Sequence, residues 1–302
     1  YSEVMVKVVE KVRLDAERDI EKERGVVDGW DREKDGKKSK TLKAAEQVVN
    51  DVMAAQAIVE LIDRKVVKQT VMTSVYGVTF IGARQQLQAR LTEKFEEAGF
   101  NISDEDTEDL IYKSSKYLTT QVMAALNDLF TGARATMEWL TQVAAIVSSQ
   151  SQPVTWVTPL NLPCVQPYRR NRERIVNTVV QQVVISDDQS DLPIQTQKQR
   201  SAFPPNFVHS LDSSHMLMTA VEMKKRGLDF SAVHDSYWCH PRNVDEMSEI
   251  LREQFVDLYT KPVLDNLRND LMLQYPGIEF PPVPETGDLD LNSIKESRYF
   301  FQ

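Results

Sequence analysis

Along most of this chain, apolar residues return at helical spacing rather than in strict alternation. Val4, Val8, Val12 and Ile20 stand among charged residues, which predicts an amphipathic helix over 1–25. Residues 43–76 hold strong helix formers and few breakers. They predict two helices, with Asp63 near the junction and Gly77 as a stop. The same period returns over 84–98 and 107–149. Between these lies a turn over Asn101–Glu105, in which Ser103 precedes a first helical turn rich in acid. The stretch near 28–45, from Asp28-Gly29-Trp30 through Ser39-Lys40-Thr41, is polar and reads as an exposed insertion.

The pattern changes after Ser149-Gln150-Ser151-Gln152-Pro153. Val154–Val157 and Ile175–Ile185 are β-branched and strand-like. Pro159, Pro163 and Pro167 rule out a continuous helix between them. Residues 186–200 read as a polar loop, and Pro204-Pro205 as the lead-in to a helix over about 206–226, ended by Gly227. Phe230–Val233 and Tyr237–Cys239 predict a hairpin turning near Asp235. Residues 244–272 predict helix again, broken at Pro262, and the apolar ending Tyr299-Phe300-Phe301 predicts a docked C-terminus. The sum is a predominantly helical α+β fold.

Composition changes this picture little. The 302 residues are 41% hydrophobic and 27% charged, enough for one large domain or two ordinary ones. No apolar run approaches the roughly 20 residues of a membrane-spanning helix, so no membrane partner is expected. Two cysteines, Cys164 and Cys239, make no disulfide framework and suit a reducing compartment. The chain opens on Tyr1 and a charged helical pattern, which reads as an internal boundary.

The net charge of −9 counts against nucleic-acid binding. Location resolves the conflict. Acid gathers in Asp104-Glu105-Asp106-Thr107-Glu108-Asp109, while base clusters at Arg64, Lys65 and Lys68, and again at Arg169, Arg170, Arg172 and Arg174. Arg64 and Lys68 are four apart and share a helical face, where their mutual repulsion is relieved if an anion such as a triphosphate bridges them. Tyr76 follows two turns on, within reach of the sugar or base of the same nucleotide. On spacing alone, a solvated basic face followed by a core aromatic explains the same residues.

Two further constellations carry chemistry. In Val233-His234-Asp235-Ser236-Tyr237-Trp238 a turn presents one carboxylate, and magnesium often takes only one or two protein carboxylates beside phosphates and water. Asn206-Phe207-Val208-His209-Ser210-Leu211-Asp212-Ser213-Ser214-His215 bears two histidines six apart, poor spacing for a shared metal. A structural His-Asp pair and a capped polar helix are the plain alternatives.

Taken together these strings resemble the mitochondrial branch of the single-subunit, phage-type DNA-directed RNA polymerases. Arg64-x-x-x-Lys68 with Tyr76-Gly77 resembles the family's nucleotide-binding fingers helix, and Val233–Trp238 with Arg252–Val256 its palm motif. The Asn206–His215 segment, Trp156–Leu160 with Gln166–Arg169, and the Tyr299–Phe301 ending resemble further family stretches, in family order. The resemblance implies a right-hand polymerase fragment, with mostly helical fingers over 1–205 and the C-terminal part of the palm over 206–302. It implies that Arg64 and Lys68 bind the triphosphate, and that Lys68 protonates the departing pyrophosphate. It implies further that Tyr76, Gly77 and His209 bind the nucleotide and read its ribose. Asp235 would be a catalytic magnesium ligand, one of two ions serving the full-length enzyme, and His234 would lie near the growing RNA.

The implied partners are a DNA template, an RNA product, NTPs and mitochondrial transcription factors, in the mitochondrial matrix. The family's other metal-binding aspartate lies in an Asp-Gly-Ser segment, which this sequence lacks, so the isolated fragment is expected to be inactive. A related DNA polymerase would carry His-Asp-Glu in place of His-Asp-Ser. A plastid or phage member of the family and a non-catalytic helical binding module are the other rivals.

Overall fold

The computed structural model describes residues 2–28, 40–74, 78–170, 172–178, 180–187 and 192–300. Packing divides it into two compact units, Tyr1–Thr131 and Gly132–Gln302.

The first unit is helical: α1 (Ser2–Ala16), α2 (Ile20–Asp28), α3 (Lys40–Ile58), α4 (Arg64–Ser74), α5 (Phe80–Glu97) and α6 (Glu105–Leu129). The long helix α6 lies against α1, α3 and α5. The i, i+4 repeats read from the sequence become its core, with Val4, Val8, Val12, Leu87, Leu91, Phe95, Leu118 and Val122 all buried. One polar pair crosses it. The Tyr117 hydroxyl donates to the Asp15 carboxylate at 2.7 Å, and Lys11 neutralises that carboxylate from one turn away. Burial, reinforced by Asp15, pushes the Tyr117 phenol far above its usual range.

The helix expected over 1–25 is two helices. The Gln56 amide donates to the Ala16 and Arg18 carbonyls, and Asp19 accepts the Glu21 amide at 2.9 Å, so the chain closes α1 and restarts. Asp63 sits at the expected junction for a physical reason: its carboxylate accepts the Lys65 and Val66 amides at 2.8 and 3.0 Å and caps α4. Asp104, not Ser103, caps α6, accepting the Thr107 amide. The polar insertion is shorter than expected at its C-terminal side, since α3 begins at Lys40. Its centre, with Gly29 and Trp30, lies outside the described residues, as does the expected stop at Gly77.

The second unit carries α7 (Thr131–Ser149), α8 (Thr196–Lys225), α9 (Val244–Tyr259), α10 (Val263–Gln274) and α11 (Ser293–Glu296). Its described strands form antiparallel ribbons: β1 (Thr155–Val157) with β2 (Pro163–Val165), β3 (Arg172–Asn177) with β4 (Gln182–Asp187), and β5 (Ser231–Val233) with β6 (Ser236–Trp238). Trp139, Leu140, Val143, Trp156, Phe203, Phe207, Leu267 and Leu271 form the core. Trp156 meets Phe203 edge-on at 5.4 Å. Helix breaks fall as read at Pro262 and at Gly227, whose φ is +72. The C-terminus docks as expected through Phe300, 5.0 Å from Phe255.

A further expectation fails. The loop over 186–200 and the helix start at 206 give way to a single helix that begins at Thr196 and runs through Pro204 and Pro205. Each proline removes an amide donor, at a cost of about 3 kcal/mol in a helix interior. The residues whose carbonyls lose those donors, Arg200 and Ser201, are exposed, so water can replace them. Burial of Phe203 and Phe207 contributes roughly 1.5–3 kcal/mol each in the other direction. A buried amide cluster adds to this. Gln166 and Gln199 exchange side-chain and backbone hydrogen bonds at 2.8–3.2 Å, Gln199 accepts the Val154 amide, and Asn206 donates to Gln166 at 2.8 Å.

Gln199→Leu strands the Gln166 amide and the Val154 N–H in a dry interior. It is expected to cost about 2–4 kcal/mol, the scale of one or two unsatisfied buried groups, read as a fall in denaturation midpoint. An unchanged midpoint would show that the cluster contributes nothing.

Candidate functional site

In the first unit, α4 turns Val66, Val67, Thr70 and Val71 into the core. Helical geometry then sends Arg64, Lys65 and Lys68 to the exposed side, with Arg64 and Lys68 one turn apart as expected. The helix start is held rigidly. Partial burial works against ionisation of Asp63, yet the Val66 and Lys65 amides and the Lys94 ammonium, at 3.2 Å, hold its carboxyl below the usual range. Tyr76 and Gly77 lie outside the described residues.

The second unit holds the remaining predicted residues. His234 and Asp235 form a two-residue turn between β5 and β6, in a register pairing Val233 with Ser236 and Ala232 with Tyr237. His234 adopts φ +54, a left-handed conformation at a position where hairpins favour glycine. A strain of about 1–2 kcal/mol is stored there. The Phe230 and Tyr237 rings meet at 5.4 Å and brace the ribbon from below. Asp235 is left exposed at the tip.

Helix α8 brings His209, Asp212 and His215 onto successive turns. His215 is buried. Its Nε2–H donates to the Leu251 carbonyl of α9 at 2.9 Å, which sets the tautomer, and its ring stands edge-on to Phe255 at 5.6 Å. Burial pushes its imidazole below the usual value. His209 remains exposed.

Asp212 joins these parts. Desolvation raises its carboxyl above the usual range, Asp235 adds to the rise, and His209 and His215 oppose it. The residue keeps much surface open to water, so solvent screens part of each effect. Tyr237 is raised by burial and then by Asp212 and Asp235. Tyr259 of α9 is pushed up to about 12, mainly by burial, with Asp212 contributing. Asp212 thus shares one electrostatic neighbourhood with His209 and Asp235. Sequence reasoning passed over Asp212. The signal was present, because a carboxylate three residues from each of two histidines lies beside both on a helix.

Among the described residues, no group of three or more His, Cys, Asp or Glu side chains could enclose a metal ion. The hairpin offers instead an open, hard oxygen donor with a second carboxyl nearby. That donor set suits magnesium completed by phosphate and water.

The arrangement of α8 depends on its neighbours. The Trp156 indole donates to Ser210 Oγ at 3.0 Å, one residue from His209. The Asn206 amide also donates to the Tyr168 hydroxyl at 3.2 Å.

Comparison with known proteins gives the site its context. The family model described as DNA-dependent RNA polymerase matches residues 1–279. The chain is 47% identical over 251 residues to the protein named DNA-directed RNA polymerase 3, chloroplastic, of Nicotiana sylvestris, covering 83% of this chain and 25% of that one. It is 46% identical over 260 residues to DNA-directed RNA polymerase 1, mitochondrial, of the same plant, covering 85% and 25%. DNA-directed RNA polymerase 2A of Nicotiana tabacum is 45% identical over 251 residues, covering 83% of this chain and 73% of that protein. The chain thus spans about a quarter of the length of the first two relatives.

The raised Asp212 carboxyl has a consequence for stability. A raised acid penalises the folded state above its unfolded pKa, and the penalty vanishes once both states are protonated. Asp212→Asn is expected to raise the melting temperature at pH 7, with the gain fading as pH falls toward and below 3.8. A gain independent of pH would show that repulsion and desolvation are not its source.

Proposed function

Because this chain belongs to the DNA-dependent RNA polymerase family, we propose that it forms part of an organellar enzyme that extends RNA on a DNA template and releases pyrophosphate. The observation that carries this reading is the tip of the β5–β6 hairpin, where a strained turn leaves Asp235 exposed to solvent and where its charge adds to the raised carboxyl of Asp212. Magnesium often takes only one or two protein carboxylates, and an exposed carboxylate of this kind suits it. Asp235 would hold one of two Mg2+ ions serving the complete enzyme, which when bound neutralise phosphate charge and activate the attacking hydroxyl.

The remaining roles belong to the chain's own side chains. Arg64 and Lys68 bind the triphosphate, Arg64 through its planar fork and Lys68 as a point charge. Lys68 also donates a proton to the departing pyrophosphate. Tyr76, Gly77 and His209 bind the nucleotide and read its ribose. Discrimination by a hydroxyl-reading site is strong, because a substrate lacking the hydroxyl leaves polar groups unpaired. His234 touches the growing RNA. Fingers over 1–205 and palm over 206–302 are the functional division in this reading.

The partners are a DNA template, the RNA product, NTPs and mitochondrial transcription factors. The proposed compartment is the mitochondrial matrix. The relatives are named for chloroplast as well as mitochondrion, so a fluorescent fusion of the full-length protein that entered plastids alone would overturn this assignment.

In the full-length polymerase, Asp235→Asn is expected to lower nucleotide addition at least ~10²-fold, the scale of losing one preorganised transition-state contact. In the same primer-extension assay, His209→Ala is expected to reduce the preference for ribonucleotides about 10-fold, or roughly 1.4 kcal/mol, one hydrogen bond's worth. Full activity of Asp235→Asn would remove the proposal.

A further inference from the structure

The β5–β6 hairpin is suspended between α8 and α9, which pack on each other. Residues 226–230 join α8 to β5, and residues 239–243 join β6 to α9. Both links are tightly turned. Gly227 reverses the first at φ +72. Pro241–Asn243 winds the second into a single 3-10 turn, with the Asn243 amide donating to the His240 carbonyl at 2.8 Å. Across the open end of the ribbon, His240 Nε2 lies 3.2 Å from the Asp229 carboxylate. Links held in this way pass a slip of α8 along α9 on to the hairpin.

Two ties of different kind set the height of α8 on α9. At the surface, Arg226 pairs with Glu253 at 3.0 Å and with Glu246 at 3.9 Å. Water and salt screen such pairs, so each holds weakly. Inside, the His215 Nε2–H reaches the Leu251 carbonyl at 2.9 Å, and His215 is only 5% exposed.

The buried tie is the more specific one. Leu251 lies within α9, so its carbonyl serves the helical ladder and offers His215 a second lone pair. The bond therefore satisfies the imidazole rather than the backbone. Phe255 stands edge-on to the ring at 5.6 Å and is held in turn by Tyr259 at 4.5 Å and Phe300 at 5.0 Å. That packing keeps the imidazole from swinging to another carbonyl. The Thr219 hydroxyl donates to the His215 carbonyl at 2.9 Å, one turn along α8.

An apolar side chain of similar size would cost less to bury at this position. What the imidazole adds is register, because a slip that breaks its bond strands an N–H in a dry interior. The neighbouring turn carries the polar residues of the site. Asp212 there responds to both sides, with His209 and His215 favouring its ionised form and Asp235 opposing it.

We propose that His215 is a positioning residue, which sets the height of α8 on α9 and through it the placement of His209 against Asp235. Its effect on the reaction rests on the roles given above to His209 and Asp235. Its geometric effect stands on the helices alone.

The test uses the full-length polymerase in primer extension with ribonucleotides and deoxyribonucleotides. His215→Met fills the space without an N–H and leaves the Leu251 carbonyl its helical bond. Its preference for ribonucleotides is expected to fall about 5-fold, the fold-change of one net hydrogen bond, with a lower kcat and little change in KM. His215→Gln keeps a side-chain donor and is expected to recover most of that preference. Adding His215→Met to His209→Ala is expected to remove no further preference, since the one acts through the other. Where His209→Ala lowers the preference, additive losses or an unaltered His215→Met preference overturn the proposal. A fall in melting temperature with the preference intact shows a structural role only and overturns it too. A crystal structure of the His215→Met enzyme reads the geometry without assuming any chemistry. The separation of residues 209 and 235 is expected to change by about 0.5–1 Å, enough to disturb a catalytic arrangement. An unchanged separation overturns the proposal. If His209→Ala alone keeps the full preference, the ribose-reading role fails, and that separation decides the positioning by itself.

Discussion

Helix α8 is the part on which the second unit depends, and a buried amide pair holds it in place. Gln166 and Gln199 satisfy each other's donors and acceptors where water does not reach. Each such bond nets only about 1 kcal/mol, but leaving any of them unmade costs more. The asymmetry makes the cluster a register device, because sliding α8 along the β1–β2 ribbon would strand several buried amides together. The aromatic contacts of Trp156 with Phe203 and Phe207 supply the attraction, and the amides choose where it acts. The prolines at 204 and 205 weaken the helix just where this outside support is densest.

The middle of α8 inherits that precision. His209, Asp212 and His215 occupy successive turns just beyond the anchored stretch, and His215 ties the helix to α9 through the Leu251 carbonyl. Asp235 at the hairpin tip adds to the raised carboxyl of Asp212 on this helix. Two carboxyls in one neighbourhood repel each other and resist desolvation, which costs stability. The left-handed His234 adds a second local cost at the same place.

The charges of this chain, −9 in sum, are segregated. The acidic run at 104–109 caps and opens α6, where it meets the positive end of the helix and faces water. Arg64, Lys65 and Lys68 stand together on the exposed side of α4, and Arg169 and Arg170 at the start of α8. Fields at such spots decay within about a Debye length, roughly 10 Å at 0.1 M salt, so local sign outweighs the total.

The sequence by itself determined the helical stripes, the turn at His234-Asp235, the breaks at Gly227 and Pro262, and the motifs that place the chain in its family. Periodicity, turn chemistry and short strings of residues are local, and each was readable within a few positions. Only the tertiary structure decided that α8 would begin at Thr196 and cross two prolines, since the partners that stabilise it, Gln166 and Trp156, lie about 30 to 50 residues away in sequence. It alone raised the Asp212 carboxyl, because desolvation and facing charges exist only once distant segments have packed.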